Sequence, residues 1–353
     1  MSEKHTADQA VPSAGGIPVG HTGRHSASET VAPRPSDGVP PSEGLRLMAV
    51  HAHPDDESSK GAAMMAAYED AGAEVMVVTC TGGEAGDLLN PQYEDTVACE
   101  RDITAVRRVE MAEAQAALGV DHEWLGFLDS GLPEGDPVPE LPANCFARMP
   151  LETAAAPLVS LIRRFRPHVL ISYDEVGGYP HPDHVMSHRV TVEAYRAAGL
   201  ADEYPGAGEP WEVSKLYYDR AFNPAKFRTL HEVYTAAGEE SPFADRLGWY
   251  EKMERLREVR ARQAAGEDVP DPEDAPPWFI PDHAVTTQIP VADHLERRDA
   301  ALRAHRTQVD PTGFFFAARN EVLREAWPWE DYVLIDSRVE VDLPEHDLFN
   351  GLR

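Results

Sequence analysis

Cysteine is scarce in this chain and never paired. Cys80, Cys99 and Cys145 stand singly, without the short spacings of a thiolate zinc knuckle or of a disulfide framework. Such usage suits a reducing cytoplasm, the expected location. Long apolar runs are missing as well: apolar residues make up 42% of the 353 positions, yet none of their runs approaches the roughly eighteen residues that cross a bilayer. Membrane insertion is therefore not expected. Basic residues are outnumbered, 32 Lys and Arg against 61 Asp and Glu, for a formal charge of -29. A field of that sign repels phosphate backbones, so nucleic acid is not an expected partner.

The first forty-odd residues are rich in Gly, Pro, Ser, Thr and His and contain no apolar segment of the secretory kind. Residues 1–44 are expected to form a disordered tail, with His5, His21 and His25 as unstructured polar residues. From Leu45 the pattern changes. "LRLMAVHA" has strand length, "ESSKGAAMMAAYEDAG" has helical composition, and "AEVMVVTC" reads as a second buried strand before the turn "TGGEAGD". Val106, Val109, Ala112 and Ala116 recur at helical spacing before "HEWLGF". Pro157 is expected to open a helix with Leu158, Leu161, Ile162 and Phe165 on one face, leading into "HVLISYD".

Alternating strands and helices predict an α/β, Rossmann-like fold: a mostly parallel, doubly wound sheet with helices on both faces. Residues 45–200 would form this core. Residues 201–353 would complete the fold and the substrate pocket as a C-terminal α+β cap, with strands in "VSKLYYD" and "YVLIDSRV" and helices near 223–237, 244–264 and 292–306. An acidic, proline-rich stretch near 265–282 reads as a surface loop.

Two histidines and three carboxylates fall within seven positions, His51 to Glu57, directly after the first strand. In open α/β sheets ligands bind beyond the carboxyl ends of the strands, where "HPDD" lies. Pro54 stops the strand pairing there, so that His53, Asp55 and Asp56 can share a pocket. A second cluster, "YDEVGGYPHPDHVMSH", follows another strand and carries His181, Asp183, His184 and His188. Imidazole and carboxylate suit zinc or ferrous iron, and catalytic sites commonly use three protein ligands. One "HPDD" alone could equally be a turn with a helix N-cap; two such clusters at strand ends favour a metal. His51 is expected as a hydrogen-bonded core histidine, and His188 stands as a rival ligand one helical turn beyond His184.

At these residues the sequence resembles the LmbE-like, or N-acetylglucosaminyl-phosphatidylinositol de-N-acetylase, family of zinc-dependent amide hydrolases. "AHPDDE" and "HPDH" are its signatures. The likeness extends through "TGGEAGD", "VRRVEMAEAQAALG", "DSG" at Asp129 to Gly131, and "ALRAHRTQ". Stretches such as "HPDDESSKGA" and "WLGFLDSGLPEGDP" resemble the branch that acts on a small-molecule substrate, a mycothiol S-conjugate, in the detoxification chemistry of actinobacteria. The long tail and the acidic insertion are departures from the family pattern.

The resemblance implies one Zn per chain, with Fe(II) as the other metal these ligands serve, held by His53, Asp56 and His184. It implies that Asp55 is the general base, His181 the group that protonates the leaving amine or steadies the oxyanion, Asp183 its orienting partner, and Tyr179 a mobile donor. Lys60, Glu84, Arg107 and Asp129 are implied as substrate contacts, with Arg108 as the alternative to Arg107. Asp183 would raise the pKa of His181 by opposite charge, and a bell-shaped pH profile would follow. An N-deacetylase of N-acetylglucosaminyl-inositol, or of a natural-product amino sugar, is the alternative activity. A noncatalytic sugar- or metal-binding protein is the alternative of another class.

Overall fold

The computed structural model describes residues 38–135, 137–276, 278 and 283–353. The expected disorder of residues 1–37, with the three histidines there, lies outside the described residues, as does the end of the proline-rich stretch. Residues 38–44 do not continue a tail: the Ser42 N–H donates to Ala71 O, and Arg353 donates to Pro41 O.

Seven strands form one sheet among the described residues: β1 (Arg46–His51), β2 (Glu74–Thr81), β3 (Asp121–Phe127), β4 (Val169–Ser172), β5 (Lys215–Asp219), β6 (Thr287–Pro290) and β7 (Trp329–Ser337). Their order is β3-β2-β1-β4-β5-β7-β6. The first five run parallel, and β7 lies antiparallel to both β5 and β6. The strands read from the second half of the sequence thus extend the same sheet. The short β6, whose four residues include Pro290, was not foreseen; its apolar signal is too brief to stand out.

Strand alternation divides β1 between two cores. Leu47 and Ala49 face one side, with Met64, Tyr68, Met111 and Leu118; Met48 and Val50 face the other, with Leu158, Ile162 and Val190. Each such fully buried aliphatic side chain contributes on the order of 1.5–3 kcal/mol. Helices α1 (Asp56–Ser59), α2 (Ala62–Asp70), α3 (Thr96–Leu118), α4 (Leu151–Phe165) and α5 (Pro182–Ala197) belong to the parallel half. Helices α6 (Pro224–Ala236), α7 (Ala244–Ala264), α8 (Leu295–Ala304) and α9 (Asn320–Ala326) follow. α2, α3 and α8 cover the first face, and α4 and α5 the second.

Three sequence expectations are corrected. The first helix is two, α1 and α2, because Gly61 adopts φ 92 between them. α4 begins at Leu151, so Pro157 lies inside it as its seventh residue rather than opening it, and without an N–H it leaves the Thr153 carbonyl without its helical donor. In α3 the buried face is Arg107, Glu110, Met111, Ala114 and Leu118, while Val109 is exposed. Polar residues take the inner face there because the helix lies against the site.

Candidate metal centre

β1 and β4 are neighbours at the middle of the sheet, and the chain winds away from them in opposite directions, through β2 and β3 on one side and β5 on the other. A crevice opens at such a switch point, beyond the carboxyl ends of the strands. The residues that follow β1 and β4 meet in it.

The first turn is held in an unusual conformation. Asp55 has φ 137 and ψ -24, a region a residue with a side chain seldom occupies. Its N–H donates to Glu57 Oε2 at 2.9 Å, and Glu57 Oε1 lies 2.7 Å from His305 Nε2 in a fully buried pair. Burial pushes the Glu57 carboxyl up, but His305 and the Ser58 hydroxyl outweigh it and hold it down at about 2. His305 is thus a positioning residue for the turn. The sequence held "ALRAHRTQ" as a family likeness without assigning it this part. Arg107 lies 3.3 Å from Asp55 Oδ1 and donates to Pro54 O and Gly83 O. Arg108 instead lies over the Trp124 ring, so Arg107 is the arginine that faces the turn.

The second cluster is set by the loop into α5. His184 Nδ1 lies 2.9 Å from Gly177 O, which makes Nδ1 the donor and leaves Nε2 with its lone pair. That Nε2 is buried and has no hydrogen-bond partner among the described residues; Asp56 Oδ2 is 3.4 Å away. Asp56 Oδ2 also lies 3.5 Å from His53 Nδ1. His53, His181 and His184 can bring ligand atoms within 4.8 Å of one another, as can His53, Asp129 and Asp183. The Tyr179 ring packs on His184 at 4.7 Å between centroids.

Two further loops close the crevice from the β2 and β3 side. Asp129 N–H donates to Glu84 Oε2, and Ala85 N–H donates to Asp129 Oδ2, at 3.1 and 3.2 Å. Asp183 is not the partner of His181 that was expected. Its carboxylate accepts from the Ser130 N–H and hydroxyl and lies 3.3 Å from His53 Nε2, while its backbone N–H donates to His181 Nδ1 at 3.1 Å. The His181 pKa accordingly falls to about 4 rather than rising: burial lowers it first and the neighbouring His53 adds to this, against the raising effect of Asp183.

The donor chemistry fits a divalent cation. Burial alone would lower His53, yet the carboxylates of Asp129, Asp183 and Asp56 hold it well above its ordinary value. A position that draws positive charge so strongly, beside an unpartnered imidazole lone pair on His184, suits a metal ion. Asp56 Oδ2 faces the rings of His53 and His184 and accepts the His53 backbone N–H at 3.0 Å, whereas Oδ1 is taken by Lys60 Nζ at 2.5 Å. Lys60 is buried, not solvated, and its pKa is raised: burial opposes this, and Asp56 and Asp219 overcome it.

Two other histidines stand apart. His188 Nδ1 lies 3.0 Å from Tyr173 O and its ring packs on Tyr218, so it is no rival ligand in this arrangement. His51 is buried against Tyr173, but neither ring nitrogen has a partner among the described residues, and burial lowers its pKa to about 4. The expected hydrogen bond is absent. Ser130, quoted in "DSG", was given no role; a lone serine after "LD" carries no metal signal in sequence.

A doubly wound α/β fold that gathers His and Asp donors at its switch point has the donor set for a catalytic metal. Residues 48–195 match the family model described as PIG-L, GlcNAc-PI de-N-acetylase. The chain is 48% identical over 311 residues to a mycothiol S-conjugate amidase of Streptomyces coelicolor, covering 88% of this chain and 98% of that protein. A 1D-myo-inositol 2-acetamido-2-deoxy-alpha-D-glucopyranoside deacetylase of Geodermatophilus obscurus is 38% identical over 314 residues, 87% of this chain and 98% of that one. The corresponding deacetylase of Streptomyces scabiei is 39% identical over 337 residues, covering 90% and 94%. The chain belongs to the GlcNAc-PI de-N-acetylase family.

Proposed function

We propose that this chain is a metal-dependent amide hydrolase acting on mycothiol S-conjugates in the cytoplasm. It would cleave the cysteinyl-glucosamine amide to release an N-acetylcysteine S-conjugate and glucosaminyl-inositol, a detoxification step. The observation that carries this reading is the 48% identity to a mycothiol S-conjugate amidase across 98% of that protein. The deacetylases, at 38 and 39%, support the alternative that the acyl group is acetyl.

His53, Asp56 and His184 would hold one zinc ion, or Fe(II), which the same donors serve. When bound, such an ion polarises an amide carbonyl and lowers the pKa of water from 15.7 to roughly 7. Asp55, whose carboxylate is engaged by Arg107 and not by the ligand set, takes the proton of the attacking water. Because His181 Nδ1 accepts from a backbone N–H, the neutral ring carries its proton on Nε2. It therefore acts as a hydrogen-bond donor to the developing oxyanion, together with the Tyr179 hydroxyl. Asp55 can then return its proton to the leaving amine nitrogen. Asp183 and Ser130 fix the His53 ring, and Glu84, Arg107 and Asp129 meet the hydroxyls of the amino sugar and inositol.

Mass spectrometry of the metal-loaded protein with a mycothiol S-conjugate tests the reading. Glucosaminyl-inositol and the N-acetylcysteine conjugate should appear in equal amounts. Unchanged conjugate beside deacetylated N-acetylglucosaminyl-inositol would instead make the chain a deacetylase.

A further inference from the structure

The sheet assigns directions to the two halves of the substrate. Glu84 follows β2, Asp129 follows β3 and Arg107 lies on α3, so the polar groups suited to a hydroxyl-rich sugar lie on the β2 and β3 side of the centre. That leaves the β5 and β7 side of the crevice for the acyl half. There a partly enclosed cavity of about 90 Å³ lies at the end of β5 and the beginning of β7, with Asp219 and Tyr332 in its wall.

This cavity adjoins the centre. Lys60 Nζ, 2.5 Å from Asp56 Oδ1, is also 3.3 Å from Ser59 Oγ, and Ser59 and Gly61 line the cavity. Part of its wall is aromatic: Phe222, Phe227, Phe314 and Phe315. The Phe314 ring stacks with Phe222 at 6.3 Å between centroids and lies 5.8 Å from Phe227. Protein interiors otherwise close-pack, so a void left beside a reactive centre points to an occupant. Among the charged groups of the wall, Glu330 accepts from the Met64 N–H, Asp331 from Asn223 and Gln288, and Arg298 donates to Asp299 and Asn320. Lys226 also lines the wall, attracted through space by Asp331 and Glu330 and repelled by Arg298.

We propose that this cavity is the acyl-side subsite, receiving the group carried on the conjugate's sulfur: an aromatic ring seated among the phenylalanines, with a hydrogen-bond acceptor or carboxylate at its far end meeting Lys226 Nζ. The proposal rests on the S-conjugate reading above. An aromatic substituent gains its apolar contact in the transition state as well as on binding, so selectivity appears in kcat/KM.

The test measures kcat/KM of the metal-loaded full chain on S-methyl, S-benzyl and S-(4-carboxybenzyl) mycothiol, in the wild type, Phe314→Ala and Lys226→Met. The wild type should prefer benzyl to methyl by about tenfold or more. Phe314→Ala should reduce that ratio by about tenfold, and Lys226→Met should selectively reduce the carboxybenzyl-to-benzyl ratio. Because each readout is a ratio within one protein, partial unfolding of a variant does not imitate it. Equal use of the three conjugates by the wild type, or ratios unmoved in both variants, would overturn the subsite while leaving the amidase reading intact. Turnover of N-acetylglucosaminyl-inositol with none of the conjugates would overturn both.

Discussion

Asp55 pays for its place with backbone conformation: a residue with a Cβ at φ 137 stores on the order of 1–3 kcal/mol, held there by the Glu57 carboxylate on its N–H. Such strain is tolerable where the side chain has a task. Asp55→Asn keeps the shape but cannot take a proton. Its kcat should fall by about 10²–10⁴-fold, while elemental analysis still finds about one metal per chain. Undiminished turnover would remove Asp55 from its role. The motif "HPDD" made His53, Asp55 and Asp56 legible from sequence, since all lie within one turn. The parts played by His305 and Ser130 were not legible, because they arrive from the end of α8 and the loop after β3 and act through hydrogen bonds.

The loop between β4 and α5 is the element on which the second half of the centre depends. Gly177 has φ 74, and a Cβ there would collide with His184, whose Nδ1–H it also accepts through its carbonyl. Gly177→Ala should weaken metal binding by about 10–100-fold, as losses of outer partners commonly do, measured by competition with a chromophoric chelator. The same loop is tied at Glu175, 2.8 Å from His283. The hydrogen bond that its ring donates to the Glu175 carboxylate raises His283 above 6.5, against burial. Its contribution to stability is thus complete below pH 6.5 and is lost as pH rises through the raised value. With both side chains partly exposed it amounts to less than about 1 kcal/mol. In an NMR titration of the His283 ring, Glu175→Gln should bring the midpoint down toward 6.5; an unmoved midpoint would contradict the pairing. At this scale the strands were legible because buried parallel strands are continuous apolar runs, as in "AEVMVVTC". The inner face of α3 was not, since Arg107 turns inward to the HPDD turn and Glu110 accepts from the N–H and hydroxyl of Thr307, which reverses the usual apolar pattern.

Across the whole molecule, five parallel strands and their helices converge on one crevice, and the antiparallel β7 and β6 widen the sheet beside it. Sequence alternation predicted the wound sheet, but not that β5, β7 and β6 continue it, because pairing order is set by long-range contacts. Among the described residues, no helix is long and apolar enough to cross a membrane. Bound metal should stabilise the native state, because the donors of His53, Asp56 and His184 are brought together only by folding. Chelation should lower Tm, with a loss of about 2.7 kcal/mol relative to free metal at a hundred times its Kd; an identical Tm with and without chelator would contradict the assigned centre.

The most direct test of the central claim is the ratio of kcat/KM on a mycothiol S-conjugate to that on N-acetylglucosaminyl-inositol, measured on the same metal-loaded preparation. The account predicts a ratio well above one. A ratio below one would show that the acyl side is built for acetyl, and the chain would then be a deacetylase on the same scaffold.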